Sequence, residues 1–157
     1  MELKTKVHAP EDKHDVYIKR EFELPLHLLF RAYVEADLLE QWMGTKVIKL
    51  ESKKQGSFQF ETTDPRGNTY KFSGCIHDVV KDQKIVRTFE FENTSHGVQL
   101  EFLTFEKLSD DTSKLTIHSI SQSPQHRAEA LKMPFAYGLS MAHNRLQEIL
   151  QTKNNSL

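Results

Sequence analysis

The sequence has little cysteine and no long apolar run, and both shortages narrow the class of protein it can be. Cys75 is the only cysteine among the 157 residues. A disulfide within the chain and a zinc site built from cysteines are therefore excluded. Because cysteine-poor chains are typical of reducing compartments, we expect a cytoplasmic protein. No stretch approaches the ~18 apolar residues of a membrane span, and the charged N-terminus lacks the apolar core of a signal peptide.

An excess of charge of either sign is also missing. The formal net charge is −1 with neutral histidine, so we expect neither nucleic acid nor a membrane surface as a partner. Hydrophobic residues make up 38% and charged residues 27% of the chain, which is ordinary for a globular protein. The length predicts a single domain over 1–157, with a core over about 16–151, a loosely held arm over 1–15 and a polar tail over 152–157.

The periodicity of the apolar residues near the N-terminus predicts one strand and two short helices. Apolar and polar residues alternate over 16–23, as in a half-buried strand. Pro25 then opens a stripe of apolar residues at helical spacing. Asp37 is expected to cap a second short helix, which Gly44 ends.

Farther along the chain the period changes to two and then returns to helical spacing. Short, turn-forming links between segments rich in β-branched and aromatic residues predict an antiparallel meander of six strands. The segments are 45–52, 57–62, 69–80, 84–92, 98–108 and 113–121. The apolar spacing after Pro134 predicts a long helix through Gln151, and either a short helix or an irregular turn precedes Pro134.

This order of elements leaves one long helix to cover the apolar face of a wide sheet. Sheets of this width twist and curl, so we expect an α+β fold in which a curved antiparallel sheet wraps around the C-terminal helix. A helix about 10 Å across cannot cover the whole face. We therefore expect an apolar cavity between sheet and helix, roofed by the two short helices. A fully packed interior is the alternative.

Three short segments carry a recognisable pattern. Residues 20–25 read REFELP, 29–33 read LFRAY and 38–44 read LLEQWMG. In this order they resemble the opening signature of the START-like helix-grip superfamily, also called SRPBCC. The branch they resemble comprises homologues of the heat-shock-protein-90 ATPase activator, of the C-terminal-domain type. The likeness extends over about 16–151. Met43 and Thr45 depart from it, because the family pattern has a second tryptophan and a proline there.

The resemblance implies a helix-grip fold with a pocket for a small hydrophobic or amphipathic molecule, often without a known reaction. It also implies a stress-response role as a co-chaperone-like regulator of a chaperone ATPase. The eukaryotic activator carries an additional N-terminal domain that these 157 residues do not include. Other helix-grip proteins are cyclases, hydrolases or sacrificial resistance proteins. For such an enzyme the acid–base candidates here are His118, Tyr70 and Glu101.

The predicted pocket is mainly aromatic, because phenylalanines and tyrosines share the inward face of successive strands. The mid-strand Gly74 indicates a bend or a close approach there. The candidate ligand-binding residues are Phe30, Trp42, Phe58, Phe60, Tyr70, Phe72, Arg87, Phe89, Phe135 and Leu139. For most of them, packing in the core is the alternative.

Arg87 is the polar exception in that set. It shares strand parity with Ile85 and Phe89, so strict alternation points it inward. A buried guanidinium requires an acidic partner or an anionic ligand. Arg87 is therefore an anchor for a carboxylate or phosphate, a member of a structural ion pair, or a residue turned outward by a bulge.

The sequence shows no catalytic, metal or cofactor motif. None of the eight histidines falls at a metal-ligand spacing, and neither a phosphate-cradling glycine loop nor a dinucleotide fingerprint is present. We therefore predict non-enzymatic binding of a small hydrophobic or amphipathic molecule, with no cofactor and no metal. A chaperone partner and a homodimer through exposed sheet edges stay open.

Overall fold

The computed structural model describes residues 3–132 and 135–155, and this part of the chain forms an eight-stranded antiparallel sheet with four helices. In chain order the elements are β1 (Lys6–His8), β2 (Asp15–Phe22), α1 (Leu26–Val34), α2 (Ala36–Met43), β3 (Lys46–Leu50), β4 (Ser57–Thr63), β5 (Thr69–Val80), β6 (Lys84–Phe91), β7 (Val98–Lys107), β8 (Ser113–Ser121), α3 (Pro124–Leu131) and α4 (Phe135–Asn155). The strand order is β1-β2-β8-β7-β6-β5-β4-β3. The predicted α+β class, curved sheet and long C-terminal helix are confirmed.

The alternation in the sequence corresponds to the two faces of the sheet. In β8 every second residue is buried, from Ser113 through Ile117 to Ser121. In β2 the buried positions include Ile18 and Phe22. These side chains point to the concave face, toward the helices, whereas their neighbours in sequence lie on the convex face.

The two short helices are separated by a single residue. Glu35 has extended backbone angles and serves as both the C-cap of α1 and the N-cap of α2. The prediction that Asp37 caps α2 is therefore wrong, since Asp37 lies inside the first helical turn. Gly44, with a φ of 65°, ends α2 as predicted. Trp42 joins the helices, since its Nε1 donates to the Ala32 carbonyl oxygen at 2.8 Å.

The N-terminal segment is more ordered than the predicted loose arm. Its residues 6–8 form β1, which pairs with β2, and Thr5 is only 1% exposed. The segment is too short and too charged to show an alternation of apolar and polar residues, yet three residues are enough to add a strand at the edge of a sheet. At the other end, α4 continues to Asn155, beyond the predicted limit at Gln151. Of the short helix and the irregular turn predicted as alternatives before Pro134, the structure has the helix, α3. Pro134 itself lies outside the described residues.

Most of the core lies on one side of the concave face, which we call the packed half, and Phe58, Phe60, Ile76 and Ile85 extend it onto β4, β5 and β6. The packed half comprises the inward-facing apolar side chains of β2, β7 and β8 together with α1, α2 and the part of α4 from Ser140 onward. Leu146 and Leu150 of α4 are almost fully buried there. The N-terminal part of α4 is less buried and contributes the half-buried Phe135 and Leu139.

Candidate ligand site on the concave face

Aromatic side chains of β5 and β6 form a continuous inward-facing surface, which we call the aromatic wall: Tyr70, Phe72, Phe89 and Phe91. The register places Phe72 opposite Phe91, and their ring centroids are 4.6 Å apart. Phe89 lies 5.7 Å from Phe72 by the same measure. The wall is incompletely covered, since Tyr70 is 39% exposed and the three phenylalanines are half-buried.

Gly74 allows the neighbouring strand to pack closely behind the wall. A Cβ at this position would lie 2.5 Å from the Phe58 ring and 2.0 Å from the Thr88 carbonyl oxygen. No side chain larger than hydrogen fits without a shift of the backbone. The close approach expected at this glycine is therefore confirmed, and it lets Phe58 and Phe60 bury completely beside the wall.

Arg87 points inward and forms an ion pair with Glu101. Its Nε donates to Glu101 Oε1 at 2.9 Å, and the two side chains are 11% and 12% exposed. The guanidinium carbon lies 5.3 Å from the Phe58 ring centroid and 5.4 Å from that of Phe89. A bulge does interrupt the pairing of β5 with β6, between Ile76 and Asp78. It leaves Arg87 on the concave face, so of the alternatives above the structural ion pair is present.

The ion pair continues into a polar row across the sheet. Glu101 pairs in register with Ser119, and Gln99 with Ser121. Ser119 donates its hydroxyl to Gln99 Oε1 at 3.2 Å. The concave face beside α4 thus has an aromatic part on β5 and β6 and a polar part on β7 and β8.

A second polar group is buried inside the packed half, and sequence reasoning missed it. His143 of α4 lies 2.8 Å from Thr5 Oγ1 through Nδ1 and 3.1 Å from the Tyr33 hydroxyl through Nε2. Burial lowers the pKa of the imidazole to about 3, and the nearby Arg20 guanidinium adds to the shift. Burial also raises the pKa of the Tyr33 hydroxyl far above its usual value. The available signal was spacing, because His143 follows Leu139 by four residues and precedes Leu146 by three.

The ten predicted pocket residues fall into three groups. Phe30, Trp42, Phe58 and Phe60 are core residues, Tyr70 is exposed at the end of the wall, and Phe72, Arg87, Phe89, Phe135 and Leu139 are half-buried around the uncovered surface. The half-buried group therefore marks the part of the concave face that is incompletely covered.

The three acid–base candidates do not converge. His118 lies on the convex face, where its Nε2 is 2.5 Å from Asp15 Oδ2 and its ring stacks on Tyr17. The Tyr70 hydroxyl donates to Asp64 in the turn between β4 and β5. Glu101 alone lies on the concave face, paired with Arg87. Within the described residues, no group of three or more histidine, cysteine or acidic side chains is placed to hold a metal ion.

Comparison with known proteins agrees with this architecture. A family model described as Activator of Hsp90 ATPase homolog 1-like protein matches residues 23–151. The chain belongs to this family. No curated protein matches the chain in sequence. The predicted resemblance is therefore confirmed at the level of the family and its helix-grip fold.

Solved structures from several bacteria share the fold of this Activator of Hsp90 ATPase homolog 1-like chain. A protein from Rhodobacter sphaeroides superposes with a TM-score of 0.85 at 17% identity, over 95% of this chain and 99% of that one. One from Mycobacterium smegmatis gives 0.81 at 21% identity, over 95% and 98%. One from Nitrosomonas europaea gives 0.79 at 21% identity, over 94% and 99%.

The two departures from the family pattern are accommodated between α2 and β4. Thr45 is buried, and its hydroxyl accepts a hydrogen bond from Thr62 Oγ1 at 2.9 Å. Met43 is half-buried against the core. Among the helices that the structure describes, none combines the length and apolar character needed to cross a membrane.

Proposed function

We propose that this chain binds a small hydrophobic or amphipathic molecule between the aromatic wall and the N-terminal part of α4, without catalysing a reaction. The observation that carries the proposal is the incomplete cover of Phe72, Phe89 and Phe91, which face inward yet stay half-buried. Inward-facing aromatic side chains left partly in water retain apolar surface that a ligand can remove from solvent. Each Å² buried contributes about 25 cal/mol.

The polar row favours an amphipathic molecule over a purely apolar one. The hydrogen bond of Arg87 to Glu101 uses Nε. Among the described residues, no hydrogen bond uses the two terminal amino groups of that guanidinium. Their position between the Phe58 and Phe89 rings suits a ligand whose carboxylate or hydroxyl oxygen lies at the edge of an apolar body. Ser119 and Gln99 supply further partners along the same row.

Binding without catalysis is favoured by the separation of the titratable groups. Concerted general acid–base catalysis needs two such groups within hydrogen-bond reach of one substrate. His118 pairs with Asp15 on the convex face and Tyr70 pairs with Asp64 in the turn between β4 and β5, whereas Glu101 forms its ion pair with Arg87.

Native purification followed by organic extraction and mass spectrometry tests the proposal first. A thermal-shift titration with laurate and with a flavonoid then measures stabilisation, which rises with the ratio of free ligand to Kd. We expect a saturable shift in the parent protein and its loss in Phe89→Ala. Phe102→Ala is the matched control, because Phe102 is a strand phenylalanine exposed on the convex face. Equal loss in both variants, or no stabilising amphiphile and no co-purifying molecule, overturns the proposal.

A chaperone partner is the alternative function, and its support is the family description, Activator of Hsp90 ATPase homolog 1-like protein. The test is the ATPase rate of a purified chaperone with and without this chain.

Cytoplasmic location remains part of the proposal, supported by the exposed free thiol of Cys75. The homodimer stays a prediction.

A further inference from the structure

The charged groups next to the aromatic wall determine which polar end a ligand on the wall can carry. Arg87 lies opposite Glu101 in the register of β6 and β7, and its Nε donates to Glu101 Oε1 at 2.9 Å. The guanidinium carbon lies 5.4 Å from the ring centroid of Phe89, a member of the wall. A molecule whose apolar body covers Phe89 therefore brings its polar end to this ion pair.

The ion pair is neutral as a whole, and its register neighbours on either side are uncharged. Ile76 of β5 pairs with Arg87, and Ser119 of β8 pairs with Glu101. The side chains of the pair are only 11% and 12% exposed, so water screens their charges weakly. An ion placed beside the pair is attracted by one member and repelled by the other, and it also loses part of its hydration. The pair therefore favours a neutral group over an ion of either sign.

The ion pair leaves both donors and an acceptor available for a ligand. In the part of the chain that the structure describes, no hydrogen bond uses the terminal amino groups of Arg87 or Oε2 of Glu101. None of these atoms is among the buried polar atoms without a partner, so each keeps some contact with solvent. A hydroxyl group can accept from the guanidinium and donate to the carboxylate at once. A ligand carboxylate can only accept, and beside Glu101 it brings two negative charges together.

On the basis of the proposed function, we infer that the ligand is a neutral amphiphile with a hydroxyl or amide group at its polar end, and that Glu101 discriminates against carboxylates. Arg87 alone would suit a carboxylate as well as a hydroxyl oxygen. Its pairing with Glu101 removes that ambiguity, because the guanidinium is already neutralised at 2.9 Å. The polar row continues the same chemistry, since Ser119 donates to Gln99 Oε1 and both side chains are uncharged.

Three aromatic probes with the same ring system test the selection: 2-naphthol, 2-naphthamide and 2-naphthoate. The amide and the carboxylate have nearly the same shape, so a difference between them reports charge. In calorimetric titration of the full chain at pH 7.5, we expect saturable binding of the naphthol and the naphthamide, each at least tenfold tighter than the naphthoate. An affinity for the naphthoate equal to or above that for the naphthamide overturns the inference and leaves the proposed ligand site in place.

Removal of the negative charge should reverse the preference. In Glu101→Gln the Arg87 guanidinium loses its counterion, so the naphthoate is expected to bind at least tenfold more tightly than to the parent protein. Glu106→Gln is the matched control, since Glu106 is an exposed glutamate on the same strand. Thermal melting shows whether each variant folds, and the preference of the unmodified chain decides the question if Glu101→Gln does not. Unchanged naphthoate affinity in a folded Glu101→Gln, or an equal gain in Glu106→Gln, contradicts the role of Glu101.

The same titrations separate this selection from ligand binding itself. Failure of all three naphthalenes to bind the parent protein overturns the inference. If laurate or the flavonoid nevertheless stabilises the chain, the proposed function survives that failure. If neither does, the proposed function fails as well.

Discussion

The packed half and the aromatic wall have the same strand pattern but differ in how their inward faces are covered. In the packed half, Ile18, Leu115 and Leu146 are almost completely removed from solvent. On the wall, Phe72 and Phe89 face the same way and stay half-buried. Alternation therefore decides which side chains face inward, whereas the helices decide which of them become core.

Because of this difference, we expect the packed half to provide most of the stability and the aromatic wall to be available for binding. The packed half has three helical elements over its strands and a buried hydrogen-bond group around His143. The wall lacks such cover, since Phe72, Phe89 and Phe91 stay half-buried. Regions that bind ligands are drawn from the less stable parts of a fold, because they must exchange water for ligand.

Two leucines of the same helix give the largest test of this comparison. Leu146→Ala is expected to lower the free energy of unfolding by about 2–5 kcal/mol, because it opens a cavity in the packed half. Leu139→Ala removes the same atoms from a half-buried position in the N-terminal part of α4 and should cost clearly less. Urea unfolding of the two variants measures the difference. Equal losses would show that the two halves are packed alike.

A pH titration of stability gives the next largest effect and belongs to the packed half. The His143 pKa, lowered by burial to about 3, lies below its ordinary value of about 6.5. Between these two pKa values, the unfolded chain binds a proton at His143 that the folded chain does not bind. The resulting stability is fully present above about pH 6.5 and falls by about 1.4 kcal/mol per pH unit as the pH drops toward 3.

His143→Gln isolates this contribution from that of the carboxylates. The amide keeps a polar side chain beside Thr5 and Tyr33 but does not titrate. Urea unfolding at pH 7.5 and pH 5 should show a stability loss that is about 2 kcal/mol smaller in the variant than in the parent. An identical pH dependence in both proteins would mean that His143 accepts a proton in the folded state.

The ion pair at the boundary between the two halves should have an intermediate effect. Glu101→Gln leaves the Arg87 guanidinium without its carboxylate and is expected to cost about 1–3 kcal/mol in chemical unfolding. If the guanidinium faces the ligand space, laurate should stabilise this variant more than the parent. A smaller shift with laurate than in the parent would place Arg87 outside the binding surface.

The sequence predicted the strands better than the contacts between distant segments. The bounds 69–80 and 113–121 are those of β5 and β8, since alternation and turn residues are local signals. The inward position of Arg87 also follows from parity. The contact of Thr5 with His143 spans 138 positions, and β1 is too short for a periodic pattern. The half-buried state of the wall depends on where α4 lies, which no single strand encodes.

The convex face provides the smallest effect and a control for the comparison. His118 hydrogen-bonds Asp15 and lowers the pKa of that carboxyl below its usual value. The pair thus contributes stability at neutral pH that is lost as the pH falls through the lowered pKa. Both side chains are partly exposed, so Asp15→Asn should cost about 1 kcal/mol or less in urea unfolding at pH 7. Because the substitution changes neither the packed half nor the aromatic wall, amphiphile binding should be unchanged. A loss of binding in this variant would show that the convex face and the wall are coupled through the sheet.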